Sequence, residues 1–341
     1  MSVSYTSILW NKNKRKYDLA VFIIAFCFIT LFTLLNLALN PQVTFETNLI
    51  RSFGWLAILL LHVILIIGPL ARLNPSFNIV LYNRRHLGVT MFLMGLIHGA
   101  FSIMQFHSLG DTNPIRSVFL SNVQYGSISF FPFQTLGFLG LLILALMAAS
   151  SHDFWLKNLG LKTWKALHML VYVAYGLLIM HIVLGALQNE TSPLIFGIVV
   201  VGFLTIATLH IVAGLKENRA DGDIPASDSF VPVCTVGDIK EGCAKIVSVG
   251  GERVAIFKYD GLLSAVHNVC RHQGGPLGEG RVIDGCITCP WHGYQYLPGN
   301  GQSPPPFDEK VETYRLMREG EQIFLDPHPN APGTPVEPIK L

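Results

Sequence analysis

Charge is what this 341-residue sequence has least of: 13% of residues are Asp, Glu, Lys or Arg, against 51% hydrophobic. Soluble domains carry about 25% charged residues, so the deficit argues against an ordinary water-soluble chain and for a lipid bilayer as partner. The formal net charge is only +2, and no Lys/Arg stripe with interleaved aromatics occurs. Nucleic acid is therefore not an expected partner. Cysteine is scarce as well. The six cysteines suggest no even disulfide framework, which fits a reducing compartment. No Gly-rich dinucleotide loop follows a strand pattern, so no flavin or nicotinamide site is expected. The paired acids and interrupted helices of a transporter core are missing too.

The deficit is uneven. Up to about Leu215 long apolar runs dominate, and from Lys216 onward the chain is polar, Gly/Pro-rich and holds most of the acids. Six apolar stretches have the roughly 20 residues that a membrane-spanning helix needs: Leu19–Leu39, Gly54–Leu73, Leu87–Phe106, Phe131–Ser150, Leu167–Leu187 and Leu194–Leu215. Trp10, Tyr17, Trp55, Trp155 and Trp164 lie near their ends, as interfacial aromatics do. The first run is too long for a signal-peptide core of roughly 7–15 residues. The expected organisation is a cytoplasmic N-terminal segment (1–18), a six-helix transmembrane domain (19–215), a linker (216–229), a small antiparallel all-β domain (230–327) and a C-terminal tail (328–341). Lys12, Lys14, Arg15, Lys16, Arg72, Arg84, Arg85, Lys157, Lys162, Lys165, Lys216 and Arg219 fall on one side, and Arg51 and Arg116 on the other. The positive-inside rule then puts both termini in the cytoplasm, most simply across a bacterial inner membrane.

Five histidines lie in or near the apolar stretches: His62, His98, His168, His181 and His210. Ionisable groups at membrane depth are costly and usually functional, and neutral imidazole is a common haem ligand. His98 in the third stretch and His181 in the fifth are positioned to clamp one haem iron between neighbouring helices. His168 would serve a second, inner haem, with His86 at a suitable depth to face it. One objection stands against that: over 13 residues an ideal helix turns by about 1300°, leaving His168 and His181 some 140° apart. His62 and His210 read better as packing or interfacial groups, and His107 and His152 as loop residues.

The runs RRHLGVTMFLMGLIHGAF and WKALHMLVYVAYGLLIMHIVLG resemble the ferric reductase-like transmembrane family, and GWLAILLLHVILIIGPLARL resembles its second helix. The resemblance covers roughly residues 15–215. It implies six helices with b-type haem between the third and fifth, and carries haem ligation onto His98, His168 and His181. A second histidine of the third helix is expected about 14 residues before His98, where only His86 is near.

In the polar half, AKIVSV and RVAIFKY are followed by an Asp260-Gly261 turn and LLSAVHN, a hairpin pattern. Two loops come next, Cys270-Arg-His272 and Cys289-Pro-Trp-His292. Each supplies one thiolate and one imidazole, the donor set of a Rieske [2Fe-2S] centre, with two thiolates on one iron and two imidazoles on the other. Cys2His2 also binds zinc, but zinc pairs usually run C-x2–4-C and H-x3–5-H. The stretch CRHQGGPLGEG…CPWHGYQY resembles Rieske ferredoxins and the Rieske domains of ring-hydroxylating oxygenases. High-potential Rieske proteins resemble one another in a loop disulfide and a serine two residues after the second histidine; here Tyr294 and Trp291 occupy such positions. Fewer hydrogen bonds to sulfur imply a midpoint near the low end of the range, about −150 mV rather than +300 mV.

The expected function is membrane electron transfer. A cytoplasmic donor such as a reductase or ferredoxin would reduce the [2Fe-2S] cluster, and one haem b, or two, would carry electrons toward, or from, quinone or an outer-side acceptor. The alternatives are a membrane-tethered ferredoxin serving a soluble oxygenase, and a redox-sensing membrane protein. Only about 15 residues follow the β domain, too few for the mononuclear two-His, one-carboxylate iron site of an oxygenase.

Overall fold

The computed structural model describes residues 12–341 except 75, 76, 78, 79, 81–83, 129, 186–192, 221, 223, 226 and 292. His292, one of the four expected cluster ligands, thus lies outside the described residues. So do Trp10, the end of the fifth apolar stretch and parts of the N-terminal segment and linker. The chain forms two compact units, Ser7–Ile67 with Arg84–Thr208, and Gly68–Asn83 with Leu209–Leu341.

The apolar stretches are helical. They form α1 (Lys12–Leu39), α2 (Phe45–Leu73), α3 (Arg84–His107), the short α4 (Pro114–Leu120), α5 (Phe133–Ala149), α6 (Asp153–Leu159), α7 (Leu161–Met169), α8 (Val171–Leu184) and α9 (Pro193–Ala220). Five runs are long and apolar enough to cross a bilayer: 15–39, 45–73, 84–107, 163–184 and 196–216. The α5 helix has 17 residues, about 26 Å at 1.5 Å each, slightly short of a spanning helix. The region thus carries about five to seven apolar helices, according to how α5 and the pieces α7 and α8 are counted. Large apolar side chains such as Phe22, Ile24, Phe26 and Leu34 on α1 are exposed, the pattern of a surface that meets lipid tails.

The fifth stretch departs from the ideal helix. It is distorted at Leu170, where ψ is −10° and the N–H bonds three residues back to Leu167, and it runs on from there, Ala174 N–H bonding to Leu170 O. Within the unit, Ile58, Leu61, Leu65, Met91, Leu144, Ala174, Tyr175 and Ile206 form the core. His62 belongs to it: its Nδ1–H donates to the Ile58 carbonyl (2.7 Å) and its Nε2 accepts from the Tyr175 hydroxyl (3.2 Å). Both nitrogens are satisfied, as for a packing group. On α4, Pro114 takes the first helical position and Asn113 caps the Ile115 and Arg116 amides.

The second unit carries the antiparallel β domain. Its strands are β1 (Val231–Thr235), β2 (Ala244–Val249), β3 (Glu252–Tyr259), β4 (Leu262–His267), β5 (Arg281–Ile283), β6 (Cys286–Thr288), β7 (Gln295–Tyr296), β8 (Thr313–Tyr314), β9 (Leu316–Glu319), β10 (Gln322–Leu325) and β11 (Ile339–Lys340). They form sheets of order β1-β10-β9, β11-β4-β3-β2 with β8 beside β4, and β5-β6-β7. Asp260 and Gly261, both at positive φ, join β3 to β4, the turn that Asp-Gly favours. Val254, Ile256, Leu263, Ile323 and Leu325 fill the core.

Both flanking segments are more ordered than their composition suggests. Helix α9 runs on to Ala220, and Ile224 pairs with the end of β2 through Ile224 N–H to Ser248 O and Gly250 N–H to Ile224 O, both 2.9 Å. Residues 328–341 bind back across the domain: Asn330 N–H to Thr313 O (2.9 Å), Val336 N–H to Gly299 O (2.7 Å), and β11 against β4. No alternating pattern in APGTPVEPIK announces this.

Candidate cluster and haem sites

The two cysteine–histidine loops are built alike. One joins β4 to β5, the other β6 to β7. The Cys270 N–H donates to Gly275 O and the Gly274 N–H to Cys270 O; the Cys289 N–H donates to Tyr294 O and the Gly293 N–H to Cys289 O, all within 2.7–2.9 Å. In each loop the glycine four residues after the cysteine has positive φ, 71° at Gly274 and 70° at Gly293, a conformation that costs other residues energy. Each loop curls around its own cysteine and turns it inward.

Cys270 and Cys289 are buried, 1% and 2% exposed. A Cβ on Gly275 would sit 2.8 Å from the Cys289 sulfur, so only glycine lets the first loop come this close to the second. Burial pushes the Cys270 thiol up, but hydrogen bonds with Cys289, Tyr296 and the His272 backbone outweigh it and bring it down to about 6. The pocket therefore favours thiolate, the form that binds iron. The Tyr296 hydroxyl accepts the Arg271 N–H (3.0 Å) and lies 3.4 Å from Cys270 Sγ. Burial, and then the Cys270 charge, push that phenol up and keep it a donor. The buried thiols of Cys270 and Cys289, with His272 on the first loop, are donor types that a two-iron Rieske centre takes.

The second ligand loop ends on a plate. The Tyr294 ring lies parallel to His272, with centroids 4.9 Å apart and planes at 6°. Phe307 packs against the Tyr294 ring at 4.8 Å, and the Tyr294 hydroxyl donates to the Glu309 carboxylate. The hydroxyl is thereby directed to Glu309. On the other loop, Arg271 pairs with Glu312.

In the helical unit, His98 on α3 and His181 on α8 face each other, with ring centroids 6.2 Å apart and planes at 81°. A metal bound at ~2 Å from a nitrogen of each ring puts the ring centres about 6 Å apart, so the spacing suits one ion between them. His98 Nδ1–H donates to the Ile50 carbonyl (2.9 Å) and His181 Nδ1–H to the Phe133 carbonyl (2.8 Å). A carbonyl only accepts, so both rings carry the proton on Nδ1 and keep the Nε2 lone pair for a ligand, the usual state of a metal-binding histidine.

His168 and His86 are not brought together in this way. His168 stacks on Trp164 (3.9 Å), donates from Nδ1 to the Trp164 carbonyl (3.0 Å), and its buried Nε2 makes no hydrogen bond. His86 binds Asp18 on α1 through Nδ1 at 2.7 Å. Reading by residue type missed the groups that set these sites: the carbonyls of Ile50 and Phe133, and Glu309. Backbone acceptors leave no mark on side-chain identity.

The model of the Rieske [2Fe-2S] domain matches residues 229–315, and that of the ferric reductase like transmembrane component matches residues 53–179. The protein-methionine-sulfoxide reductase heme-binding subunit MsrQ of Herminiimonas arsenicoxydans is 30% identical over 195 residues, 56% of this chain and 83% of that protein. The subunit of the same name from Caulobacter vibrioides is 32% identical over 157 residues, 46% of this chain and 70% of that protein. The ferredoxin component of the alkene monooxygenase system of Xanthobacter autotrophicus is 30% identical over 101 residues, 29% of this chain and 83% of that protein.

Proposed function

We propose a route for single electrons through this chain, which belongs to both the ferric reductase like transmembrane family and the Rieske [2Fe-2S] family and so is an integral membrane protein with an electron-transfer role. Cys270, His272, Cys289 and His292 hold the [2Fe-2S] cluster, and His98 and His181 hold one haem b. Bound there, the two groups supply one-electron couples, so the chain links a cytoplasmic donor, such as a reductase or ferredoxin, with quinone or an outer-side acceptor. Six spans fill residues 19–215, and the β domain (230–327) lies on the cytoplasmic side with both termini, in a bacterial inner membrane.

The chain's own groups do the preparatory work. Cys270 is held toward thiolate, and Tyr296 donates to its sulfur. The Ile50 and Phe133 carbonyls fix the tautomers of His98 and His181. The observation that carries the reading is the facing pair His98–His181, both Nδ1–H groups engaged and the rings 6.2 Å apart. A mere tether has no use for such a pair.

A second, inner haem on His168, with His86 as its other ligand, has one observation in its favour: the buried His168 Nε2 that makes no hydrogen bond. The test is an optical and EPR spectrum of the purified full-length protein with a haem-to-iron–sulfur ratio. The proposal expects a Rieske signal and a reduced b-type band at one haem per cluster. Two haems per cluster would establish the inner site. A cluster without haem after haem-replete expression would leave the tethered-ferredoxin reading.

A further inference from the structure

The supports of His98 and His181 share an arithmetic. Each ring donates to a carbonyl 48 residues earlier, Ile50 for His98 and Phe133 for His181. Each ring also rests on the glycine one helical turn after that carbonyl. A Cβ on Gly54 would lie 2.8 Å from His98 Nδ1, and one on Gly137 would lie 2.7 Å from His181 Nδ1. Carbonyl, glycine and histidine all repeat at an offset of 83 residues. The surrounding sequence repeats with them: Ser52–Leu61 reads SFGWLAILLL and Thr135–Leu144 reads TLGFLGLLIL. The packing repeats as well. Ala57 lies within contact of a Cβ on Gly95, at 3.9 Å, and 83 residues on Leu178 approaches a Cβ on Gly140 to 3.0 Å.

We infer that the histidine clamp is an internal duplication, α2 with α3 and α5 with α8, in which Gly54 and Gly137 are positioning residues that lock the two imidazole planes nearly perpendicular. This rests on the reading of His98 and His181 as axial ligands. An imidazole bound through Nε2 keeps one free rotation, about its metal–nitrogen bond. The hydrogen bond from Nδ1 removes most of that freedom, and the glycine removes the rest, because the ring lies directly against the backbone of the neighbouring helix. Each half fixes its ring relative to its own helix pair. The two rings consequently meet at 81° and do not relax to a parallel stack.

The duplication also bears on the inner position. Eighty-three residues before His168 stands Arg85. The repeat therefore supplies one bis-histidine pair and pairs His168 with a residue that does not ligate haem.

Low-temperature EPR of the purified full-length protein tests this. Perpendicular axial imidazoles give a highly anisotropic low-spin ferric signal with one resolved low-field feature; parallel planes give a rhombic signal with all three features resolved. The expected result is the anisotropic signal. Gly54→Ala and Gly137→Ala each push one ring aside and convert it to a rhombic or high-spin signal, with the Rieske signal and cluster content unchanged. Gly176→Ala on α8, where a Cβ meets nothing within 4 Å, leaves the haem signal as it was. A rhombic signal in the unaltered protein, or alanine variants with unaltered signals, would overturn the inference. If either variant fails to assemble, the signal of the unaltered protein still decides. A protein with no b-type band would refute the ligand assignment instead.

Discussion

The two candidate sites hold their side chains in a fixed geometry by opposite means. In the β domain each cysteine and its histidine are close in sequence, and each cysteine's loop braces itself: Cys270 to Gly275 and Cys289 to Tyr294. In the helical unit His98 and His181 are single residues on separate helices, and their supports come from two further helices. A loop that binds within itself writes its purpose into a few consecutive residues. A clamp drawn from four helices spreads it over more than a hundred, and half of its parts are backbone. The first tolerates almost no local change; the second depends on how apolar helices pack.

The largest effect should separate the sites outright. Cys270→Ser or Cys289→Ser should abolish the Rieske EPR signal and leave the b-type band. His98→Ala or His181→Ala should do the reverse. Loss of both signals from either change would break the comparison, since the sites would then fold as one. Next in size is backbone strain in the loops. Gly274→Ala and Gly293→Ala each place a Cβ in a left-handed conformation at a cost of about 1–2 kcal/mol. The β-domain melting transition should drop by several degrees for each, the two alike, with the haem band unmoved.

A smaller effect belongs to Glu309. Its carboxylate is tied through Tyr294 to the face of His272, and a negative charge there opposes reduction. Glu309→Gln should favour the reduced cluster about tenfold at fixed potential, a rise of ~59 mV for one electron, read by EPR titration. Asp308→Asn removes an exposed charge next door and should shift the midpoint less, because water screens it. An equal shift would make Glu309 one surface charge among others. The smallest effect is on pH dependence. Burial pushes the Asp326 carboxyl up, but His328 and Arg315 outweigh this and hold it below its ordinary value of 3.8. A depressed carboxyl stabilises the fold above that ordinary value, and the contribution is lost as pH falls through the folded value. Asp326→Asn should therefore reduce the difference in denaturation midpoint between pH 5 and pH 3, slightly, since Arg315 is 63% exposed.

How much the sequence revealed follows the same division. The Cys-x-His loops and the Asp260-Gly261 hairpin were legible because their chemistry is local. The membrane helices were legible in outline from length and apolarity. The distortion at Leu170 was not, since it replaces no residue type with another and shows only in backbone dihedrals. The C-terminal segment was opaque for a related reason. Its bonds to Thr313 and Gly299 use backbone groups in a Pro-rich stretch without alternation. Of the membrane histidines, His62 reads from the sequence as a packing group and His98 as a ligand, but the groups that set them apart are not legible there. The difference is that both nitrogens of His62 are engaged within the protein, whereas His98 uses only Nδ1.

The central claim is that one chain carries electrons between its two sites. Oxidised full-length protein in lipid nanodiscs, mixed anaerobically with a limiting soluble ferredoxin and its reductase, tests it by following the b-type band. The account predicts prompt haem reduction in the unaltered protein and a marked slowing in Cys270→Ser, whose haem still reduces with excess dithionite. Equal rates in the two proteins would contradict it.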